Sequence, residues 1–226
     1  MKTVGVVGGM GPAATIEFLA RLVRATPATR DEDHLHILVD DDPRIPSRTA
    51  ALLSDGPSPA PRLCTIARGL EQAGAEFLVM PCNTAHAYIR EMRSAVEIPI
   101  LDIRVETAAR VSAGPVGLLA TEAAARIGLF DEAFRARGFD IVCPSPDDQH
   151  EVTALIAAVK AGEPLGALRR RLRGVVARLV SNGARTLVVG CTEISLLHEA
   201  GSRWASVDAL DALVEATVRE ALDDER

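Results

Sequence analysis

With 226 residues, 48% of them hydrophobic, the chain has enough apolar material for one large domain or two small ones. A net charge of −6 and an aromatic content of 3% argue against a nucleic-acid partner. No apolar run approaches the roughly 20 residues that span a bilayer, so no membrane association is expected.

The first predicted element is a strand over 3–8, TVGVVG, which reads as a strand and not as a signal peptide. A helix over 12–25 follows, with Pro12 at a favoured first helical position and Ile16, Leu19, Leu22 and Val23 on one stripe. Next come a strand over 35–40, a helix over 59–73, a strand over 76–80, a helix over 83–95 and a strand over 98–102. The second half predicts strands over 115–120 and 138–143, helices over 151–161 and 166–182, strands over 185–190 and 205–208, and a helix over 209–223. Within helix 166–182, the basic run RRRLR is read as a solvated face, because Leu168, Leu172, Val175, Val176 and Leu179 recur at helical spacing beside it. Strands that are nearly continuous in apolar residues, alternating with helices, point to parallel sheets covered on both faces.

The chain also repeats itself. TVGVVGGMG near residue 3 is echoed by GPVGLLATE near 114, GAEFLVMPCNT (74–84) by GARTLVVGCTE (183–193), and IPILDIRVETAARV (98–111) by WASVDALDALVEATV (204–218). Val4 precedes Cys82 by 78 residues and Val116 precedes Cys191 by 75. Three echoes in one order predict a duplicated unit: two pseudo-symmetric Rossmann-like α/β domains, each a parallel sheet flanked by helices. The expected domains are 1–98 plus 208–226 and 99–207. Ligands of open parallel sheets bind beyond the carboxyl ends of the strands, so the active site is expected in the interdomain cleft.

Four cysteines, Cys64, Cys82, Cys143 and Cys191, lack C-x-x-C pairing and zinc-ligand spacing. Reduced thiols, a cytoplasmic location and no metal are therefore expected. Cys82 and Cys191 each end a predicted strand at a turn into a helix, where backbone N–H groups favour a thiolate. Cys64 and Cys143 lack that setting and read as packing residues. Two acid–base groups on opposite sides of a cleft suit inversion of a stereocentre: one removes a proton from carbon and the other returns one to the opposite face. No pyridoxal-phosphate or flavin signature is evident, and Asn83, Thr84 and Thr192 could stabilise the carbanion. Gly9-x-Gly11-x-x-Ala14 also fits a dinucleotide fingerprint, a weak signal by itself. His86 lies one helical turn from Cys82, so a Cys–His pair and a structural role both stand open. Glu193 could assist proton handling or cap the helix.

The motifs GGMGP (8–12), IPSRTAA (45–51), PCNTAH (81–86), VKAG (159–162) and GCTE (190–193) occur in an order that resembles the aspartate racemase branch of the aspartate/glutamate racemase family. The resemblance runs nearly the full length, and PCNTAH with GCTE is its specific part. It implies cofactor-independent racemisation of an acidic amino acid, aspartate first and glutamate second, with Cys82 and Cys191 as the two bases, in a homodimer. By position, Asn83, Thr84 and Thr192 resemble residues that hold the α-carboxylate and α-amino groups. Arg48 and Lys160 resemble the cationic pair that receives the side-chain carboxylate, and Met10 lies in the loop that walls the pocket. After VGLLAT the family usually carries glycine and threonine. Here Thr121 remains, but Ala123 and Ala124 take those positions, which removes a hydroxyl. A broad-specificity racemase or related isomerase is the alternative, followed by a non-catalytic amino-acid-binding module and a nicotinamide-dependent oxidoreductase.

Overall fold

The computed structural model describes residues 1–198 and 204–223, and the chain divides into two compact units: Met1–Ile103 with Leu210–Arg226, and Arg104–Ala209. In the first unit, strands β1 (Val4–Gly8), β2 (Ile37–Asp41) and β3 (Phe77–Val79) form a parallel sheet of order β2-β1-β3. Every residue of β1 and β3 is buried. Helices Pro12–Ala25 and Ala60–Gln72 belong to this unit, and Leu63, Ile66, Ala67 and Leu70 from the second join Val7, Leu78 and Met80 in its core. The final helix Ala209–Leu222 is tied back to the amino terminus, with Lys2 N–H donating to Ala221 O at 2.9 Å and Lys2 Nζ to Glu220 Oε1 at 2.7 Å.

In the second unit, β4 (Val116–Ala120), β5 (Ile141–Val142), β6 (Thr186–Gly190) and β7 (Ser206–Asp208) form a parallel sheet of order β5-β4-β6-β7. Helices Pro146–Lys160 and Leu165–Ser181 supply Val152, Leu155, Leu168, Leu172, Val175 and Leu179 to its core. Of the RRRLR run, Arg170, Arg171 and Arg173 are exposed, and Arg171 Nε donates to Glu151 at 2.7 Å, whereas Arg169 is partly buried and its Nη2 donates to Leu196 O at 3.3 Å. In both sheets the first strand is central, the second strand lies on one side and the third on the other.

The duplication extends to packing. A Cβ added to Gly5 in β1 would come within 2.8 Å of Ala75 Cβ and 3.4 Å of Leu70 Cβ, and would overlap the Leu78 side chain. One added to Gly117 in β4 would meet Ala184 at 2.8 Å, Leu187 at 3.2 Å and Leu179 at 3.6 Å. The same three partners, at the same places in the repeat, require a bare α-carbon on each central strand.

Several predicted elements differ in the structure. Segment 98–102 makes only an isolated bridge, Leu78 to Ile100, because Pro99 has no N–H to extend a ladder. Predicted helix 83–95 is a 3-10 turn, Thr84–Tyr88, followed by Ile89–Arg93. Helix 12–25 buries Ala14, Thr15, Phe18 and Leu22, leaving Ile16 and Val23 exposed. Thr15 is turned inward, where its hydroxyl accepts from Gly9 N–H at 3.0 Å. Helix 151–161 starts earlier, at Pro146, because Ser145 Oγ caps it by accepting from Asp148 N–H at 3.2 Å. The short helices Arg48–Leu53, Ile103–Arg110, Glu122–Arg126 and Asp131–Arg135 come in addition to the predicted elements, and the helix expected after Cys191 is the single turn Thr192–Ser195.

Candidate active site

In the first unit, β1 ends in the glycine loop. Gly9 has φ 88°, and a Cβ there would overlap the Asp42 backbone, so the chain itself fills the space next to this turn. The Asp42 side chain is buried and ion-paired to Arg44 and Arg62, with Arg44 Nε donating at 2.8 Å and Arg62 Nε at 2.6 Å. Arg44 beside it holds its carboxyl well below the usual carboxylate range. Gly9 therefore serves a close approach within the protein.

Met10 follows, buried, and its carbonyl accepts from Arg48 Nη2 at 3.2 Å. Arg48 opens helix Arg48–Leu53, which Ser47 caps by accepting from Ala50 N–H at 3.2 Å. Arg48 Nη1 donates to Pro46 O at 3.2 Å, while its Nε is buried and has no hydrogen-bond partner among the described residues. Its charge reaches Tyr88, on the turn that follows Cys82.

Cys82 stands just after β3 and is buried. The His86 ring is held by two backbone groups: Nδ1 donates to the Cys82 carbonyl at 2.9 Å, and Nε2 accepts from Ile103 N–H at 3.3 Å. An amide only donates and a carbonyl only accepts, so these contacts call for the Nδ1–H tautomer. They also explain the 3-10 turn. The Cys82 carbonyl receives the ring, and the His86 amide bonds Asn83 O at 3.0 Å, one residue short of the α-helical partner. Asn83 and Thr84 are buried, and both polar atoms of the Asn83 amide lack partners among the described residues. A buried amide with an unmet donor and an unmet acceptor is set up to receive a ligand carrying both.

In the second unit Cys191 stands just after β6, at the topological place that Cys82 holds after β3. Its thiol donates to Glu193 Oε2 at 3.1 Å. The Thr192 hydroxyl lies 3.5 Å from the same oxygen, and Lys160 Nζ lies 3.5 Å from Oε1. Cys191, Thr192 and Glu193 are buried, whereas Lys160 is half exposed at the end of helix Pro146–Lys160. Burial first, and then the Glu193 charge, push the Cys191 thiol well above its ordinary value. The thiolate expected at this strand-to-helix turn is thus replaced by a protonated thiol, because desolvation and a carboxylate outweigh one turn of helix dipole.

Thr121 Oγ1 caps helix Glu122–Arg126, accepting from Ala124 N–H at 3.1 Å, and Ala123 and Ala124 are fully buried. Two residues that sequence reading missed complete the turn after β6: Ser195 Oγ donates to Asp208 Oδ1 at 2.7 Å and lies 3.4 Å from Cys191 O. The similar Cys82–Asp102 and Cys191–Asp208 spacings, 20 and 17 residues, were the available signal. Cys64 is partly buried against the core, as a packing residue should be, but Cys143 is exposed. Among the described residues no helix is long and apolar enough to cross a membrane, and no group of three or more His, Cys, Asp or Glu could hold a metal ion.

Residues 7–221 match the sequence profile of a family described as Asp/Glu/Hydantoin racemase. The chain is 25% identical over 222 residues to the broad specificity amino-acid racemase RacX of Bacillus subtilis, covering 95% of this chain and 96% of that one. It is 29% identical over 159 residues to a glutamate racemase of Corynebacterium diphtheriae, covering 63% of this chain and 56% of the other. Among solved structures, an aspartate racemase from Picrophilus torridus superposes with a TM-score of 0.89 at 29% identity, over 98% of this chain and 94% of that one.

Proposed function

For a chain that belongs to the Asp/Glu/Hydantoin racemase family, we propose amino-acid racemisation without a cofactor, with Cys82 and Cys191 as the two bases. One thiolate takes the α-proton while the other thiol donates to the opposite face, so no bond other than Cα–H is broken or made at the substrate. The observation that carries this reading is the placement of both cysteines: each is buried in the turn that follows the third strand of its unit. A duplicated fold has no packing reason to keep a thiol at both places. The Asn83 amide, with its unmet donor and acceptor, suits the α-carboxylate and α-amino groups.

The proposed substrate is an acidic amino acid, aspartate before glutamate. Arg48 supports it, because its Nε is buried and uncommitted while its Nη groups are anchored on backbone carbonyls. A guanidinium so fixed can meet a carboxylate without first losing side-chain freedom. A broader specificity is the second reading, favoured by the buried Ala123 and Ala124 methyls where a hydroxyl would discriminate. The homodimer belongs to the same proposal, and sedimentation equilibrium tests it. Chiral chromatography after incubation with L- and D-amino acids, without added pyridoxal phosphate and after dialysis against chelator, tests the reaction and ranks the substrates. No interconversion of any pair would overturn it.

A further inference from the structure

The two carbonyls that hold the Arg48 guanidinium belong to two separate segments, and both segments rest on Asp42. Arg48 Nη1 donates to Pro46 O and Nη2 to Met10 O, each at 3.2 Å. Pro46 lies in the turn that leaves β2, where Asp42 O accepts from Ile45 N–H at 3.4 Å and Asp42 Oδ1 accepts from Arg44 N–H at 3.0 Å. Met10 follows Gly9, which abuts the Asp42 backbone so closely that a Cβ there would overlap it. Carbonyl oxygens orient a guanidinium without neutralising its charge, so a shift of either carbonyl would move a cation that is still available to a substrate.

The Asp42 side chain is only 1% exposed, and its carboxylate is held from two directions. Arg44 donates through Nε to Oδ1 at 2.8 Å and through Nη2 to Oδ2 at 3.3 Å. Arg62, in helix Ala60–Gln72, donates through Nε to Oδ2 at 2.6 Å. A buried carboxylate is stable only where such donors compensate it, so these bonds fasten the turn after β2 to a core helix of its unit. The second unit repeats the device. Asp148, buried after β5, receives Arg178 Nε at 2.7 Å from the helix that precedes β6, as Arg62 comes from the helix that precedes β3.

We propose that Asp42 is a positioning residue for Arg48: its carboxylate, fastened by Arg44 and Arg62, sets the turn and the glycine loop so that the guanidinium stands ready for the side-chain carboxylate of the substrate. This rests on the acidic-substrate reading above and deepens it, because selectivity then depends on a buried carboxylate that acts through another residue.

The test uses the full chain. Asp42→Asn keeps the volume of the side chain and removes its charge. It should raise KM for aspartate about tenfold or more with kcat within about twofold, since a misplaced binding group weakens ground state and transition state alike. KM for alanine should stay unchanged. In an Arg48→Ala background the same substitution should alter the aspartate-to-alanine ratio of kcat/KM by less than about twofold, because the residue through which it acts is gone. An equal loss on both substrates, or a further loss of selectivity on top of Arg48→Ala, would overturn the assignment. Arg44→Gln and Arg62→Gln should each give the same change in weaker form, and an unchanged selectivity in the double variant would also overturn it, which keeps the test open if Asp42→Asn does not fold. Hydrogen–deuterium exchange reads the clamp without turnover: in the double variant, amides over 44–51 should exchange about tenfold faster, while those of β4 and β6 keep their rates. Unchanged exchange over 44–51 would sink the proposal. Should the wild type show no preference for aspartate over alanine, the acidic-substrate reading fails, and the exchange still decides whether Asp42 holds this turn.

Discussion

The His86 ring donates from Nδ1 to the Cys82 carbonyl oxygen at 2.9 Å, and its other nitrogen accepts from Ile103 N–H. His86 thereby fixes the backbone that carries Cys82. His86→Ala would strand a buried carbonyl and a buried amide, and is expected to cost about 2–4 kcal/mol of stability. Urea denaturation measures this. A loss within about 0.5 kcal/mol of zero would show that the ring is dispensable to the turn.

Cys82→Ser and Cys191→Ser should each lower kcat by about a thousandfold or more, because a hydroxyl is a far poorer proton acceptor than a thiolate. Both variants should keep the circular dichroism spectrum of the parent. Substantial turnover by either one would remove the two-base scheme.

Arg48→Ala should reduce the preference for aspartate over alanine, measured as a ratio of kcat/KM, by about a hundredfold, corresponding to roughly 3 kcal/mol for a lost charge-assisted contact. The neutral substrate should lose little, since it has no carboxylate to place there. Equal rates on aspartate and alanine in the parent protein would refute the acidic-substrate assignment.

Gly5→Ala and Gly117→Ala should destabilise their units by about 1–3 kcal/mol each, because the new methyl has no room beside Ala75 and Leu78 or beside Ala184 and Leu187. Thermal unfolding reads the effect. A neutral Gly117→Ala would mean that Ala184 gives way more easily than its packing implies.

Asp148 is buried, and its carboxyl is held below the usual range, first by the hydrogen bond from Arg178 at 2.7 Å. A depressed folded-state value stabilises above the ordinary Asp value of 3.8, and that contribution is lost as the pH falls through the folded value. Arg178→Ala should therefore lower the urea midpoint at pH 7, by a small amount because the arginine is exposed to solvent. The gap from the parent should close in strong acid. A gap that persists unchanged there would assign the effect to packing of the arginine stem.

The sequence by itself determined the elements that composition and repetition make redundant. β1, β3, β4 and β6 are buried from end to end, so apart from Thr186 they carry no polar side chain and are legible without alternation. The echo of Gly5 by Gly117 was legible because both copies must solve the same packing problem, and that of Cys82 by Cys191 because each follows an apolar strand at the same place in the repeat. What only the tertiary structure decided are the side-chain contacts at the ends of those strands. The direction of the His86 ring, the capture of Lys160 by Glu193 and the inward turn of Thr15 each depend on a partner distant in the chain or on a local choice between rotamers. The protonated state of Cys191 belongs to the same class: a strand-to-helix turn favours a thiolate, and only burial beside Glu193 reverses that preference.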